Sequence, residues 1–229
     1  MGLFGTQVWL ANALNSEITV LDFLGSGVNN LAWKSDSLSV AVARESGDVE
    51  VLTIENEEVI KIGEHLDGAA HYVSWSPNGL YIASSGRDNT VRIWDVESKE
   101  MLLLLRHPSG NVTKVEWNPE GKLLASYQPS DNRVIIWEVD SGEQIAVLED
   151  LNINDFAWAP NNNLLALACE DGKVRIWDVD KGEMLTIFDS HQGQQNSFNN
   201  IAWNSDGDRI AASGEVQVWI LPLVAILPK

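Results

Sequence analysis

Cysteine is almost absent from this chain of 229 residues: Cys169 stands alone. A lone thiol excludes an internal disulfide framework and a multi-cysteine zinc site, and it fits a reducing compartment, so a cytoplasmic location is expected. Positive charge is scarce too, with 15 Lys and Arg against 33 Asp and Glu and a formal net charge of −18. Phosphate-backbone binding draws its affinity from Lys and Arg that displace counterions, so nucleic acid is not an expected partner. The acidity serves solubility, and it would attract a basic partner. No apolar run is long enough to span a bilayer; "WILPLVAILPK" near the C-terminus is too short and is interrupted by Pro222 and Pro228. The opening "MGLFGTQVWLANALNSE" lacks the basic start and long apolar stretch of a secretory signal, so no membrane association is expected. Gly2 and Thr6 fit the loose myristoylation pattern, but the segment reads better as a chain start leading into a strand. Sustained 3.6-residue periodicity is missing, which excludes appreciable helix. Also missing are HExxH, a phosphate-cradling glycine loop and a Cys-x-x-Cys pair, so no cofactor or metal is expected.

What the chain has is repetition. "TVRIWDVESKEM" returns as "KVRIWDVDKGEM", and the tryptophans fall into two interlocked series. Trp33, Trp75, Trp117, Trp158 and Trp203 are spaced by 42, 42, 41 and 45 residues. Each closes a short apolar strand and is followed by the Pro, Asn, Asp, Ser or Gly of a tight turn, as in "VSWSPNG" and "VEWNPEG". Trp9, Leu52, Trp94, Trp137, Trp177 and Trp219 form the second series, spaced by 43, 42, 43, 40 and 42. Two series with one period define one repeating unit of roughly four strands. In one unit these strands are "HYVSW", "LYIASS", "TVRIWDV" and "MLLLLR", joined by "SPNG", "GRDN" and "ESKE". They are labelled a to d below. They are apolar on both faces, as a sheet stacked between two neighbours must be. The fold class is therefore all-β.

With this period, and with the Trp-Asp pairs Trp94-Asp95 and Trp177-Asp178, the chain resembles the WD-repeat β-propeller family over nearly its whole length. Trp137-Glu138 varies the signature and Leu52-Thr53 departs from it. The resemblance implies a β-propeller of four-stranded antiparallel blades in one domain. The units fall at about residues 29–69, 70–111, 112–151, 152–198 and 199–229. It also implies a buried chain of His, Ser or Thr, Asp and Trp within each blade. His65, Ser84, Asp88 and Trp94 would supply one, and His107, Ser126, Asp131 and Trp137 the next. Both histidines lie ten residues before the strand-a Trp. The following unit breaks the pattern, keeping Asp171 and Trp177 but holding Leu167 where Ser is expected. His65, Ser84 and Asp88 could also be read as a hydrolytic triad, but residues that recur with the scaffold period satisfy buried polar groups rather than attack a substrate. Asp206 and Asp208 read as a solvated turn, and Asn111-Val112-Thr113 is a sequon that matters only in a secreted protein.

Two N-terminal strands, four complete units and three or four C-terminal strands give 21 or 22 strands, close to five blades. One expectation is a closed five-bladed ring in which residues 17–24 pair beside the C-terminal strands. The other is an incomplete arc that exposes apolar faces and associates with another copy or a larger assembly through its apolar ends. Function in such a scaffold belongs to the rim loops. The expected role is non-enzymatic binding of a protein or peptide, with Arg44, Tyr72, Arg87, Tyr127, Gln128, Glu170 and residues 191–198 as rim contacts. A purely structural subunit is the alternative. A propeller enzyme would need charges converging on the innermost strands, where Glu116 alone interrupts the apolar sequence.

Overall fold

The computed structural model describes residues 6–11, 18–23, 26–149, 151–189, 197–214 and 218–222. Its backbone divides into two compact units, residues 1–114 and 115–229. Both are built from antiparallel sheets whose strands follow one another in sequence. Among the described residues the one helical element is a single 3-10 turn at Pro129–Asp131.

The first unit holds a two-stranded sheet and two four-stranded ones. Strand β1 (Thr6–Ala11) pairs with β2 (Ile18–Phe23). The first four-stranded sheet runs β3 (Val28–Trp33), β4 (Ser39–Arg44), β5 (Asp48–Thr53), β6 (Glu58–Glu64). The second runs β7 (Ala70–Trp75), β8 (Tyr81–Gly86), β9 (Thr90–Asp95), β10 (Met101–Arg106). Local chemistry closes the turns, as two of them show. In "SPNG", Ser76 Oγ accepts from Tyr81 N at 2.9 Å, and Gly79 N donates back to the Ser76 carbonyl at 2.9 Å. Asn89 turns the chain between β8 and β9 in the left-handed region, at φ 63°.

The two four-stranded sheets stack face to face. Ala41, Ala43, Val49 and Val51 of one meet Val73, Trp75, Ile82 and Trp94 of the other in one buried cluster. Each fully buried Val, Leu or Ile contributes about 1.5–3 kcal/mol relative to exposure. Directed bonds add to this packing. Trp75 Nε1 donates to the Ala32 carbonyl at 3.0 Å, and Asn29 Nδ2 donates to the Ala70 carbonyl at 2.8 Å.

The second unit repeats the plan with β11 (Lys114–Trp117), β12 (Leu123–Gln128), β13 (Arg133–Glu138) and β14 (Gln144–Leu148). Next come β15 (Ile153–Trp158), β16 (Leu164–Cys169), β17 (Lys173–Asp178) and β18 (Glu183–Asp189). A three-stranded sheet of β19 (Phe198–Trp203), β20 (Arg209–Gly214) and β21 (Val218–Pro222) follows. All six positions of β12 and of β16 are buried. The indole latch recurs here: Trp158 Nε1 donates to the Glu116 carbonyl at 3.2 Å and Trp203 Nε1 to the Ala157 carbonyl at 3.0 Å. The first tryptophan series thus ties one sheet to the sheet before it, a role its spacing alone does not reveal.

The strand expected over residues 17–24 is present as β2, but its ladder partner is β1. The C-terminal sheet has β21 at one edge and β19 at the other, so closure by pairing of the terminal strands is not shown. The fourth C-terminal strand, "VAIL", lies outside the described residues.

Candidate functional site

Within the sheet β7–β10, one hydrogen-bonded chain runs from the rim to the core. His65 follows β6, and its Nδ1 lies 2.8 Å from Asp88 Oδ1 while its Nε2 lies 2.8 Å from Ser84 Oγ. Trp94 Nε1 donates to the same Ser84 oxygen at 2.8 Å. A carboxylate can only accept, so Nδ1 carries the proton toward Asp88, and in the neutral ring Nε2 accepts from the serine hydroxyl. Asp88 also accepts from Thr90 Oγ1 at 2.6 Å and, through Oδ2, from Arg92 Nη2 at 2.7 Å. Burial alone would raise the Asp88 pKa; the His65 and Thr90 hydrogen bonds and the nearby Arg92 charge hold it well below the usual carboxylate range. Gly86 makes room for the imidazole, since a Cβ there would sit 2.3 Å from His65 Nδ1.

The order Ser84, His65, Asp88 is that of a hydrolytic triad. Ser84 is 0% exposed, however, and its oxygen is taken by an indole, so no carbonyl can approach it. The arrangement satisfies buried polar groups.

In the second unit Trp137 Nε1 donates to Ser126 Oγ at 2.7 Å. Asp131 sits exposed in the 3-10 turn and accepts from Gln128 Nε2 at 3.0 Å. His107, in the first unit, is buried and its backbone N–H donates to the Asn89 carbonyl at 2.9 Å. In the sheet β15–β18, Leu167 holds the strand-b position that Ser84 and Ser126 occupy in their own sheets. Trp177 Nε1 is buried there with no hydrogen-bond partner. Asp171 instead takes both guanidinium nitrogens of Arg175, at 2.9 and 2.5 Å.

Of the residues expected at the rim, three point inward. Arg44, Tyr127 and Gln128 are 6%, 8% and 0% exposed. Arg44 donates to Glu50 Oε2 at 3.0 Å and to the Ser26 carbonyl at 2.8 Å. The Tyr127 hydroxyl donates to the Ile153 carbonyl. Arg44 and Gln128 end strand b, the position that Gly86, Cys169 and Gly214 hold in the other sheets. Side-chain direction at a strand end is not readable from residue type, so a polar residue before a turn looked exposed. Tyr72 is half-buried, while Arg87 and Glu170 are exposed. Residues 191–196 of the expected 191–198 loop lie outside the described residues.

The backbone shows which loops share an edge. Arg87 N donates to the Ala69 carbonyl at 2.9 Å, and Glu45 N to the Gly27 carbonyl at 2.9 Å. In the second unit Glu170 N donates to the Asn152 carbonyl at 2.8 Å. In each of these sheets the b–c turn is therefore fastened to the d–a connection beside it. Near Arg87, His71 Nε2 is buried without a partner, and burial, followed by the Arg87 charge, lowers its pKa.

No curated protein matches this chain. A solved structure described as "Crystal Structure of Mitotic Checkpoint Complex" contains a similar chain at 20% identity and TM-score 0.82, over 95% of this chain and 68% of that one. That likeness concerns the fold, which 1726 matching solved chains share and which by itself fixes no function. The family model for the WDR19 first beta-propeller matches residues 71–221. That span contains the His65 network's Ser84, Asp88 and Trp94, the Trp137 and Trp177 repeats and the indole latches, and the chain belongs to this WD-repeat β-propeller family.

Proposed function

We propose that this chain is a non-catalytic scaffold that holds a protein or peptide on the rim formed by its b–c turns and d–a connections. The hydrogen bond from Arg87 N to the Ala69 carbonyl carries the reading, because it sets an exposed Arg and the half-buried Tyr72 on one fastened edge. Tyr and Arg supply large contact area and charge-assisted bonds, which is why they recur as interface hot spots. Glu170 occupies the corresponding turn of the second unit. The net charge of −18 favours a partner with a basic face. A cytoplasmic location suits the single cysteine, which burial holds at a pKa of about 11.

A photo-crosslinking amino acid placed at Tyr72, Arg87 or Glu170 tests this, with Glu120 as a position away from the rim. The reading requires a partner captured from Tyr72 and Arg87 and lost on Arg87→Ala, with Glu170 testing the second unit by itself. Equal capture from Glu120 would refute it. Self-association is a second reading, favoured by one observation. Trp33 heads the latch series yet is 56% exposed, beside Leu31 at 43%. The Trp75, Trp158 and Trp203 indoles each donate to the preceding sheet, so Trp33 offers a donor and an apolar face to a further copy. Light scattering of wild type and Trp33→Ala decides it: a dimer that dissociates on substitution supports this, and a monomer in both removes it.

A further inference from the structure

The same three hydrogen bonds join two pairs of neighbouring sheets. In the first unit Asn29 Nδ2 donates to the Ala70 carbonyl at 2.8 Å and Asn30 Oδ1 accepts from Val73 N at 3.2 Å. Trp75 Nε1 completes the set on the Ala32 carbonyl at 3.0 Å. In the second unit Asn154 Nδ2 donates to the Phe198 carbonyl at 2.9 Å and Asp155 Oδ2 accepts from Ile201 N at 3.0 Å. Trp203 Nε1 again completes the set, on the Ala157 carbonyl at 3.0 Å. The earlier sheet supplies the two polar side chains and a cross-strand apolar row, Ala32-Ala41-Val51 or Ala157-Ala166-Ile176. The later sheet supplies the tryptophan and the apolar residue two positions before it.

Each unit also leaves one half of this contact open to solvent. In the first unit it is the later half: Leu31 and Trp33 are exposed, whereas their counterparts Val73, Trp75, Phe156 and Trp158 are buried. In the second unit it is the earlier half. Strand β19 reads "FNNIAW" where β3 reads "VNNLAW", so Asn199 and Asn200 stand where Asn29 and Asn30 do, and both are exposed. The row Ala202-Ala211-Ile220 beside them is exposed as well, Ile220 by 69%. The opening at β3 has a definite size. Val8 of β1 packs on Val40, Val42 and Leu52, as Val51 packs on Ile82 and Trp94 in the next pair, so β1 fills the strand-c place ahead of this sheet. With β2 on one side of β1 and, among the described residues, no strand on the other, the places of strands a and b stand open.

We infer that the β19–β20 hairpin of a second copy seats in this opening, with β19 stacked on β3 and β20 laid along the open side of β1. Trp33 Nε1 then donates to the second copy's Ala202 carbonyl, while its Asn199 and Asn200 take the Val28 carbonyl and the Leu31 N–H. Strand β20 gains β1 in the place of its own β21. Both of those strands carry Gln-Val-Trp, at residues 7–9 and 217–219, so one ladder is exchanged for its like. Strand β21 is the one to yield, since Ile220 is bare while Val8 is buried. The two halves are different surfaces, so association runs head to tail and continues from copy to copy unless a ring closes. The inference rests on the self-association reading and names the surface that meets Trp33.

Light scattering of two full-length variants, apart and mixed, is the test. Trp33→Glu spoils one half of the contact. Ala211→Glu spoils the other, because Ala41, Ala83, Ala125 and Ala166, which hold this position in the other sheets, are fully buried and leave no room for a longer side chain. Both substituted positions are exposed, so both variants should melt with wild type. Wild type should form concentration-dependent multimers and each variant alone should be a monomer. An equimolar mixture should return a dimer and stop there, since only one intact pair of halves remains. A photo-crosslinking residue at Gln7 of the Ala211→Glu copy should attach to residues 209–214 of the Trp33→Glu copy. A mixture that stays monomeric, multimers untouched by Ala211→Glu, or a Gln7 crosslink confined to its own chain would overturn the inference. Multimers lost on Trp33→Glu but kept in Ala211→Glu would leave self-association standing with a different surface against Trp33, whereas a monomeric wild type removes both.

Discussion

Ser84→Ala is the smallest change that separates a structural network from ordinary core packing. It removes one oxygen at a site that is 0% exposed. That oxygen accepts from Trp94 Nε1 and bonds His65 Nε2, each at 2.8 Å. The substitution leaves an indole N–H and an imidazole nitrogen buried without partners. A buried orphan costs about 1–3 kcal/mol; the two share one site and can relax together, so about 2–4 kcal/mol in total is expected, below the simple sum. For a protein of this size, 1 kcal/mol moves the melting temperature by about 2–4 °C, so the transition should fall by about 5–15 °C. Calorimetry measures this directly. Repeating Ser84→Ala in a Trp94→Phe background gives the coupling: with no indole N–H to strand, the same substitution should cost at least about 1 kcal/mol less. A Ser84→Ala protein within about 0.5 kcal/mol of wild type, or equal costs in both backgrounds, would refute the reasoning.

Trp177 offers the complementary case, because its Nε1 is already stranded beside Leu167. Trp177→Phe should cost about 1 kcal/mol less than Trp137→Phe, which breaks a bond to Ser126, as read from urea midpoints. Gly63→Ala should destabilise by about 1–3 kcal/mol, since its Cβ would press on the Trp94 ring, and thermal melting checks it. The Asp88 pKa is lowered in the folded state from 3.8, so its contribution is present above pH 3.8 and is lost as pH falls below that value. Asp88→Asn should accordingly flatten the stability profile below pH 3.8. Cys169 is fully buried with a pKa near 11, so the native protein should resist thiol reagents at pH 8 and react once unfolded.

Much of the fold was legible because its signals are periodic. "HYVSW" and "MLLLLR" lie in β7 and β10, whose bounds are Ala70–Trp75 and Met101–Arg106. Turn residues at fixed offsets mark each strand end, and tertiary packing does not move them. The side-chain chain of His65, Ser84, Asp88 and Trp94 came from the resemblance to the WD-repeat family, and the repeat period only assigned the residues to it. Direction at the strand ends was not legible: Arg44 and Gln128 occupy a position that Gly86 fills elsewhere, and only the three-dimensional neighbours show that both side chains are buried. The indole latches were also hidden, since a donor in one sheet and a backbone carbonyl about 42 to 46 residues earlier share no local motif. Terminal pairing was argued from strand number, which counts strands but does not choose their ladders.

The most direct test sets the rim against the buried network in one measurement: partner recovered per mole of folded protein, for Tyr72→Ala/Arg87→Ala and for Ser84→Ala side by side. The rim pair should lose the partner while melting within about 2 °C of wild type, a change of less than about 1 kcal/mol. Ser84→Ala should melt early yet bind normally when folded. Full recovery by the rim pair, or loss of binding in folded Ser84→Ala, would contradict the assignment of recognition to the loops and cohesion to the core.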